Sequence, residues 1–228
     1  FGSGLLTTYL ALALAERGAS DVIVSSMTTA YYAGMVIGAK LGHHLIAKVG
    51  HIRSYVAASG VTAAIVLLIG LIDYVPFWAA GRFIIGLVMM CQYMVLESWL
   101  NEQAEPHQRG LVFGLYMAAT YLGMMLGQLV FLIYTDINSD ILMIVAICFS
   151  LCLVPLAVTR ALHPTPMKAA PLEIAFFLKK MPQVLLITAI GGMMSGSFYG
   201  LAPIFANRLG LTTHETGIFM AVSIGAAL

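Results

Sequence analysis

Long apolar runs alternate with short polar stretches along the whole chain. The runs cover residues 1–15, 22–41, 55–72, 75–100, 111–134, 141–159 and 184–206, and a further run begins near Thr213. A helix needs about 20 apolar residues to cross a hydrocarbon core of about 30 Å, and most runs are about that long. Strands of membrane barrels are shorter and alternate in polarity, which these runs do not. Because only helices and closed barrels satisfy the backbone within lipid, the pattern predicts an all-α polytopic membrane protein.

Composition excludes several other classes of protein. The chain is 61% hydrophobic and 9% charged, whereas soluble domains are about 45–50% apolar and about 25% charged. The net charge of +1 is uninformative by itself, but the sequence shows no basic face, so we expect no nucleic-acid partner. Cys148 and Cys152 lie four residues apart without further metal ligands nearby, so we expect no metal and no cofactor. No nucleophile and base stand at a catalytic spacing, and we therefore do not expect an enzyme.

Lysines and arginines are distributed unequally between the two ends of the predicted helices. Arg17 and Arg208 fall on one side of the membrane, and Arg82 lies within a helix. Cytoplasmic loops carry an excess of Lys and Arg, so we place the basic stretch 43–53 on the inner side. Alternate loops then carry eight inner basic residues, namely Lys40, Lys48, Arg53, Arg109, Arg160, Lys168, Lys179 and Lys180. We expect the stretch 43–53 to form an inner-face loop between helices 2 and 3.

A polar stretch after the sixth run divides the chain. Residues 160–182 contain four prolines and four basic residues, a density of prolines that stops a helix. We predict a cytoplasmic linker at 161–182, with a short surface helix at 172–180. The linker would follow a six-helix bundle at 1–160 and precede the start of a second bundle at 183–228. The chain begins and ends within apolar runs, so we expect a piece of a longer protein with its first helix truncated.

The part after the linker resembles the beginning of the chain. When the sequence is shifted by 191 residues, six identities align over 25 positions, and Arg17 falls on Arg208. Both segments have the same layout of a helix, a short outer loop with an arginine, and a second helix. Six-helix units repeated in parallel are the plan of one large class of transporters.

Glycines recur at four-residue spacing in several runs. Helix 2 has Gly34, Gly38 and Gly42, and similar series occur in helices 5 and 7. Such spacing lets another backbone approach closely. The sequence leaves open whether these ridges are fixed packing surfaces or surfaces along which helices move.

Helix 4 carries two ionisable residues within or near the membrane. Arg82, Gly86, Met90, Tyr93 and Glu97 follow at steps of four, four, three and four, which keeps them on one helical face. Arg82 and Glu97 lie about 22 Å apart along the axis, so they cannot pair with each other. Ionisable groups inside a membrane are costly and are functional candidates. Arg82 would contact an anionic substrate or a proton-linked carboxylate, or else would extend to the interface. Glu97 would pair with Lys48 or Arg53, or would take up a proton.

Neutral polar residues on four helices complete the predicted transport path. Buried hydroxyls and amides need partners, which a neighbouring helix or a substrate can supply. The predicted substrate-binding and path residues are Tyr9, Arg82, Gln92, Tyr93, Thr120, Tyr121, Gln128 and Tyr199.

Several motifs resemble those of the major facilitator superfamily. The turn between helices 2 and 3 in that family reads Gly-x-x-x-Asp-Arg-x-Gly-Arg-Arg. Here Gly50 and the charge of Lys48 match, Arg53 stands one step late, and Ala47 replaces the acidic residue. In the family this turn locks the outward-facing arrangement through an acidic–basic relay. The resemblance therefore assigns coupling and gating to Arg82, Glu97, Lys48, Gly50 and Arg53, with Glu97 as the acidic partner.

Helices 4 and 5 extend the resemblance. The run from Arg82 to Gly86 is similar to the Arg-x-x-x-Gly signature of the family, whose arginine is often tied to proton coupling. The pair Gly123 and Gly127 partly resembles the glycine-rich motif of antiporters but lacks its Gly-Pro pair. The strings VGHIRSY, ESWLNEQAEPHQRG and YLGMMLGQ resemble the YcaD-like bacterial branch of the family.

The resemblance implies a fold and a function for the chain. The fold would have twelve helices, of which this chain would hold helices 1–7 and part of helix 8. The function would be secondary active transport of a small solute by alternating access, coupled to protons, with no enzymatic activity. The protein would be a monomer in the lipid bilayer of the bacterial cytoplasmic (inner) membrane. The residues leave one alternative open, which is a non-transporting membrane receptor or assembly partner with the same fold.

Overall fold

The computed structural model describes residues 1–134, 136–158 and 178–227. Within these ranges every regular element is a helix, and no strand is present. The elements are α1 (Gly2–Glu16), α2 (Asp21–Val49), α3 (His51–Leu71), α4 (Val75–Gln103), α5 (Arg109–Gln128), a 3₁₀ helix (Leu129–Leu132), α6 (Ser139–Leu151), α7 (Leu153–Val158), α8 (Pro182–Arg208) and α9 (Thr213–Gly225). Residues 178–180 are also helical.

Five of the described helices are long and apolar enough to cross a membrane. They are Asp21–Val49, His51–Leu71, Val75–Gln103, Arg109–Leu132 and Pro182–Arg208. Each has at least 18 residues, which is close to the about 20 residues that a bilayer core requires. The prediction of an all-α polytopic membrane protein is confirmed.

Helix α1 forms the centre of the molecule. Leu5, Leu6 and Leu14 are fully buried, and Leu10 and Leu12 are 1% exposed. A helix that is apolar on all sides lies within a bundle rather than at its surface. Helix α1 contacts α2, α5, α6 and α8, so it packs against helices on both sides of residues 159–177.

Helices α2 and α4 pack with their backbones in direct contact. A Cβ atom added at Gly34 would collide with the carbonyl oxygen of Phe83, and one added at Gly38 would lie 2.5 Å from that of Leu87. On the other side of the interface, a Cβ at Gly86 would collide with the carbonyl oxygen of Tyr31. These glycines therefore form a fixed packing surface within the first bundle.

The prediction that residues 43–53 form a loop is wrong. Helix α2 continues through the basic stretch to Val49, and α3 begins at His51. Gly50 alone makes the turn, with a φ of 87° that L-residues rarely adopt. The reason is that Ile46 is buried against Tyr55, Cys91 and Val95, which extends the apolar face of α2 towards its inner end.

The sixth predicted helix, 141–159, is also shorter than expected. Helix α6 ends at Leu151, and α7 begins at Leu153 after a turn at Cys152. Pro155 has no N–H group to donate to the carbonyl of Leu151, which interrupts the helical hydrogen bonds at this point.

The predicted linker lies mostly outside the described residues. Positions 159–177 are not described, and α8 starts at Pro182, the last residue of the predicted linker. Of the predicted surface helix at 172–180, residues 178–180 are helical. The division into 1–160, 161–182 and 183–228 stays a prediction.

The close contact between α2 and α4 can be tested at Gly86. We expect Gly86→Ala to lower the free energy of unfolding by about 1–3 kcal/mol, because a backbone oxygen cannot move aside as a flexible side chain can. Thermal unfolding of the purified protein in detergent measures the change. Gly114→Ala is the matched control, since no atom lies within 4 Å of a Cβ at Gly114. Equal melting midpoints for the two variants would contradict the close contact.

Candidate functional site

Arg82 is buried in the outer part of the bundle. It stands seven residues after Val75, about 10 Å along the axis of α4. The side chain is 2% exposed. Its Nη2 donates to Thr7 Oγ1 at 3.2 Å, and its Cζ lies 4.5 Å from the centroid of the Tyr31 ring. Its Nε and Nη1 have no hydrogen-bond partner among the described residues.

A cavity of about 180 Å³ lies beside this guanidinium group, and we call it the Arg82 cavity. Four predicted path residues line it, namely Arg82, Tyr93, Gln128 and Tyr199. Gln128 is 1% exposed, and its Oε1 has no hydrogen-bond partner in the described part of the chain. Tyr199 belongs to α8, whereas the other three belong to α4 and α5. The cavity thus lies between the first bundle and the segment after the linker.

Two further predicted path residues line a second cavity. It measures about 300 Å³ and is lined by Gln92 and Thr120, among others. Tyr93 lines both cavities. The Gln92 amide donates to Ser59 Oγ at 2.9 Å, and Thr120 Oγ1 donates to the carbonyl of Tyr116 at 2.8 Å. These two polar groups already have partners within the protein, whereas Arg82 keeps Nε and Nη1 without one among the described residues.

Tyr9 and Tyr121 are not brought into either cavity. Tyr9 is 6% exposed and lies in the apolar core. Tyr121 is half-buried on α5 and is not among the lining residues of the two cavities. The role of both residues in a transport path stays a prediction.

Sequence reasoning missed the contribution of α2 to the site. Thr28, Tyr31, Tyr32 and Met35 all line the Arg82 cavity. Their spacing of three, one and three residues places them on one face of α2. This periodicity of polar and aromatic residues was the available signal. A wider groove of about 790 Å³ lies between α2 and α8 and shares Thr28 and Tyr32 with the cavity.

The predicted coupling residues at the inner end remain apart. Glu97, Lys48 and Arg53 are exposed. Within the ranges that the structure describes, no ion pair joins Glu97 to either basic residue. Gly50 makes the turn between α2 and α3, as described above. The assignment of these residues to coupling and gating stays a prediction.

Two ion pairs lie at the opposite, outer end. Arg17 pairs with Asp73 and also lies over the Trp78 ring, with its Cζ 4.4 Å from the centroid. Arg208 Nη2 lies 2.5 Å from Asp21 Oδ1. The first pair connects two loops of the first bundle. The second connects the end of α8 to the start of α2, and so joins the two parts of the chain.

The chain matches the model of a known protein family. The model of the Major Facilitator Superfamily matches residues 1–228. The chain belongs to this superfamily. The resemblance deduced from the turn, from helix 4 and from helix 5 is confirmed, as is the predicted fold class.

Curated relatives of this superfamily member come from Escherichia coli. Proteins named "Uncharacterized MFS-type transporter YcaD" from strains O6:K15:H31 (536 / UPEC) and O139:H28 (E24377A / ETEC) are each 29% identical to it. The alignments cover 98% of this chain and 59% of each relative. The chain therefore spans less than two thirds of the length of these relatives. Membership of a transporter superfamily points away from an enzyme.

The hydrogen bond of Gln92 gives a prediction for this superfamily member. If Gln92 holds α4 to α3 through Ser59, the effects of Gln92→Leu and Ser59→Ala on stability should not add. We expect a coupling of about 1 kcal/mol in a double-mutant cycle, the usual net value of such a bond. Unfolding in mixed detergent–dodecyl sulfate micelles measures it. Additive losses would mean that Gln92 is free to contact a solute.

Proposed function

We propose that the protein is part of a secondary transporter that moves a small solute across a membrane by alternating access. The observation that carries the proposal is the Arg82 cavity, because α1, α2, α4 and α5 face α8 and α9 across it. In such transporters the solute site lies between two repeated bundles that rock against each other. Residues 1–160 would form the first bundle, 161–182 the linker, and 183–228 the beginning of the second. The membrane would be the bacterial cytoplasmic membrane, and the transporter would act as a monomer.

The packing of α8 supports an arrangement that is closed on the outer side. Its buried residues are Gly200, Pro203, Ile204 and Ala206, all in the third of the helix nearest Arg208. Helix α9 packs against the outer end of α5, where a Cβ at Gly217 would lie 3.0 Å from the carbonyl oxygen of Gln128. In contrast, residues 182–195 of α8 are exposed apart from one half-buried position. We infer an inward-facing state, which the ion pair between Arg208 and Asp21 stabilises.

In this proposed state, Arg208 and Arg17 would have different roles, although they occupy corresponding positions of the predicted repeat. Arg17 pairs within the first bundle, so its ion pair survives any rocking of the bundles. Arg208 pairs across the bundles, so its ion pair must break when the outer side opens. Exposed ion pairs contribute about 0–1 kcal/mol, which is enough to shift a balanced equilibrium without preventing movement.

This difference gives a matched pair of variants. Asp21→Asn should shift the population towards the outward-facing state by about two- to fivefold, the equivalent of an exposed ion pair. Spin labels at Ile133 and Leu209 report the outer distance, and labels at Ala47 and Val184 the inner one. The labels go into the full chain after its native cysteines are replaced by serine. The outer distance should lengthen as the inner one shortens.

Asp73→Asn is the control for this experiment. It removes an outer ion pair of the same kind without touching the contact between the bundles. The same distance distributions for Asp21→Asn and Asp73→Asn would refute the gating role of Arg208. An inner distance that never changes in any variant or detergent would count against alternating access itself.

We further propose that protons are the coupling ion. The motivation is a cation and a carboxylate on one face of α4, with Arg82 beside the cavity and Glu97 about four turns towards the inner end. Glu97 has no ion-pair partner among the described residues that would hold it permanently ionised. No observation favours the alternative of a non-transporting receptor.

Proton coupling can be measured in proteoliposomes that contain a pH-sensitive dye. Solutes from a panel of sugars, amino acids and carboxylates are added outside, and a coupled solute should change the internal pH. We expect Glu97→Gln and Arg82→Ala each to lower the coupled signal at least about tenfold, because positioned proton-transfer groups typically contribute about 10²–10⁴-fold. Glu105→Gln, an exposed glutamate in the loop after α4, should keep the signal. Unchanged coupling in both test variants would show that neither Glu97 nor Arg82 takes part in proton coupling.

A further inference from the structure

We propose that the Arg82 cavity binds a small organic carboxylate, which would be the solute class of this transporter. The inference rests on the proposed transport function, and it assigns a ligand chemistry to the same site. It depends on three features of the cavity: an unpaired buried cation, an apolar wall and a small volume.

The first feature is the charge of Arg82. A guanidinium group stays protonated in proteins, and taking a charge out of water is costly unless the charge is paired. No aspartate or glutamate is among the described residues that line the cavity, and none forms an ion pair with Arg82 there. Among the described residues its one hydrogen bond is the bond to Thr7, while the Tyr31 ring covers part of the group. The counter-charge can therefore be supplied by a bound anion.

The second feature is the set of donors that Arg82 keeps free. Its Nε carries one hydrogen and its Nη1 carries two, and neither atom has a partner among the described residues. Guanidinium groups bind carboxylates through paired N–H donors, which gives both strength and a fixed orientation. In Arg82 either Nε or Nη1 can form such a pair with the Nη2 hydrogen that Thr7 does not accept. The Gln128 amide, which also has an unpartnered Oε1, can bind a second polar group of the ligand.

The third feature is the wall of the cavity. Met35, Met124 and Met220 line it together with tyrosines, so much of the surface is apolar or aromatic. Arg82 is the single cation among the described lining residues. One cation suits a monoanion better than a phosphate or sulfate dianion, and an apolar wall suits an organic body. The volume of about 180 Å³ is below the about 300–1,000 Å³ of drug-sized pockets, so the ligand is small.

Binding can be measured with carboxylates and their neutral amides. The probes are acetate, lactate and benzoate, each compared with acetamide, lactamide or benzamide, and the full chain is placed in phosphatidylcholine nanodiscs. Calorimetric titration should show at least one carboxylate binding about tenfold or more tightly than its amide, because only the anion makes charge-assisted bonds. Equal affinities within all three pairs would overturn the proposal.

Two arginine variants locate the binding site. Arg82→Gln should weaken the preferred carboxylate at least about tenfold and leave its amide unchanged. Arg109→Gln is the matched control, since Arg109 is exposed at the start of α5. It should leave the affinity within about twofold, as expected for a remote surface charge. A loss in Arg82→Gln no greater than the loss in Arg109→Gln would overturn the assignment.

A second measurement keeps Arg82 in place, in case Arg82→Gln does not fold. Thr28→Cys is made after the native cysteines are replaced by serine, because Thr28 lines the cavity and is half-buried. Saturating carboxylate should slow its reaction with an uncharged maleimide several-fold, and the matching amide should not. Equal labelling rates with and without the carboxylate would overturn the proposal.

A lipid headgroup is the other source of an anion near this site. Titration is therefore repeated in nanodiscs that contain phosphatidylglycerol. Unchanged carboxylate affinity supports a soluble ligand, whereas competition by the lipid would overturn the carboxylate assignment. These equilibrium measurements need no movement of the bundles. Carboxylate binding without a change in the spin-label distances would refute transport and leave the site assignment intact. A change in the spin-label distances without carboxylate binding would refute only the site assignment.

Discussion

The direct contact between the backbones of α2 and α4 positions the Arg82 site. Gly86 lets Tyr31 approach the α4 backbone, and Arg82 lies one turn of α4 towards the outer end. A larger residue at Gly86 would push Tyr31 away, and the guanidinium group would lose the ring that covers it. Gly34 and Gly38 continue the same contact towards the inner end. The packing of small residues, which drives helix association in lipid, thus also determines where the charge is held.

Most of the polar side chains whose hydrogen bonds the structure describes already have partners within the protein. Thr62 and Ser150 donate to carbonyls one turn earlier in their own helices, and the Trp78 indole donates to the carbonyl of Ile72. Gln92 is bound to Ser59. Since an unpaired polar group is costly in an apolar surrounding, such bonds are the expected condition of a stable membrane bundle. Arg82 and Gln128 depart from it in the same cavity, and His43, His51 and Thr216 do so elsewhere in the described part of the chain. A ligand can supply partners for polar groups that the protein itself leaves without them.

The contacts between the two parts of the chain are concentrated at one end. The outer third of α8 is packed against α1 and α2, and the ion pair of Arg208 adds a charged contact at the surface. The long inner part of α8 is exposed. In the rocking mechanism proposed above, a site between two bundles opens to one side while the other is held closed, and the packed end of α8 would lie on the closed side. Arg17 pairs with Asp73 among the helices before residue 159, whereas Arg208 pairs with Asp21 across the two parts of the chain, and the proposed mechanism would use this difference.

The sequence alone determined the class of the protein and much of its layout. Run length and polarity fixed the helices to within a few residues at most ends, because the thickness of a bilayer imposes the length. The same approach predicted Arg82, Tyr93, Gln128 and Tyr199 as path residues, since polar side chains are conspicuous in apolar helices.

Prediction from the sequence failed where contacts between distant parts of the chain decide the structure. The inner end of α2 stays helical because Ile46 packs on α4, and charge content alone suggested a loop. The sequence did not predict that the Gln92 amide donates to Ser59 Oγ on the neighbouring helix. Tyr31 entered the site only through the close approach of two backbones, and the pairing of Arg208 with Asp21 joins residues 187 positions apart. Periodicity in the sequence shows which face of a helix a residue occupies. Only the tertiary packing decides which residues that face contacts.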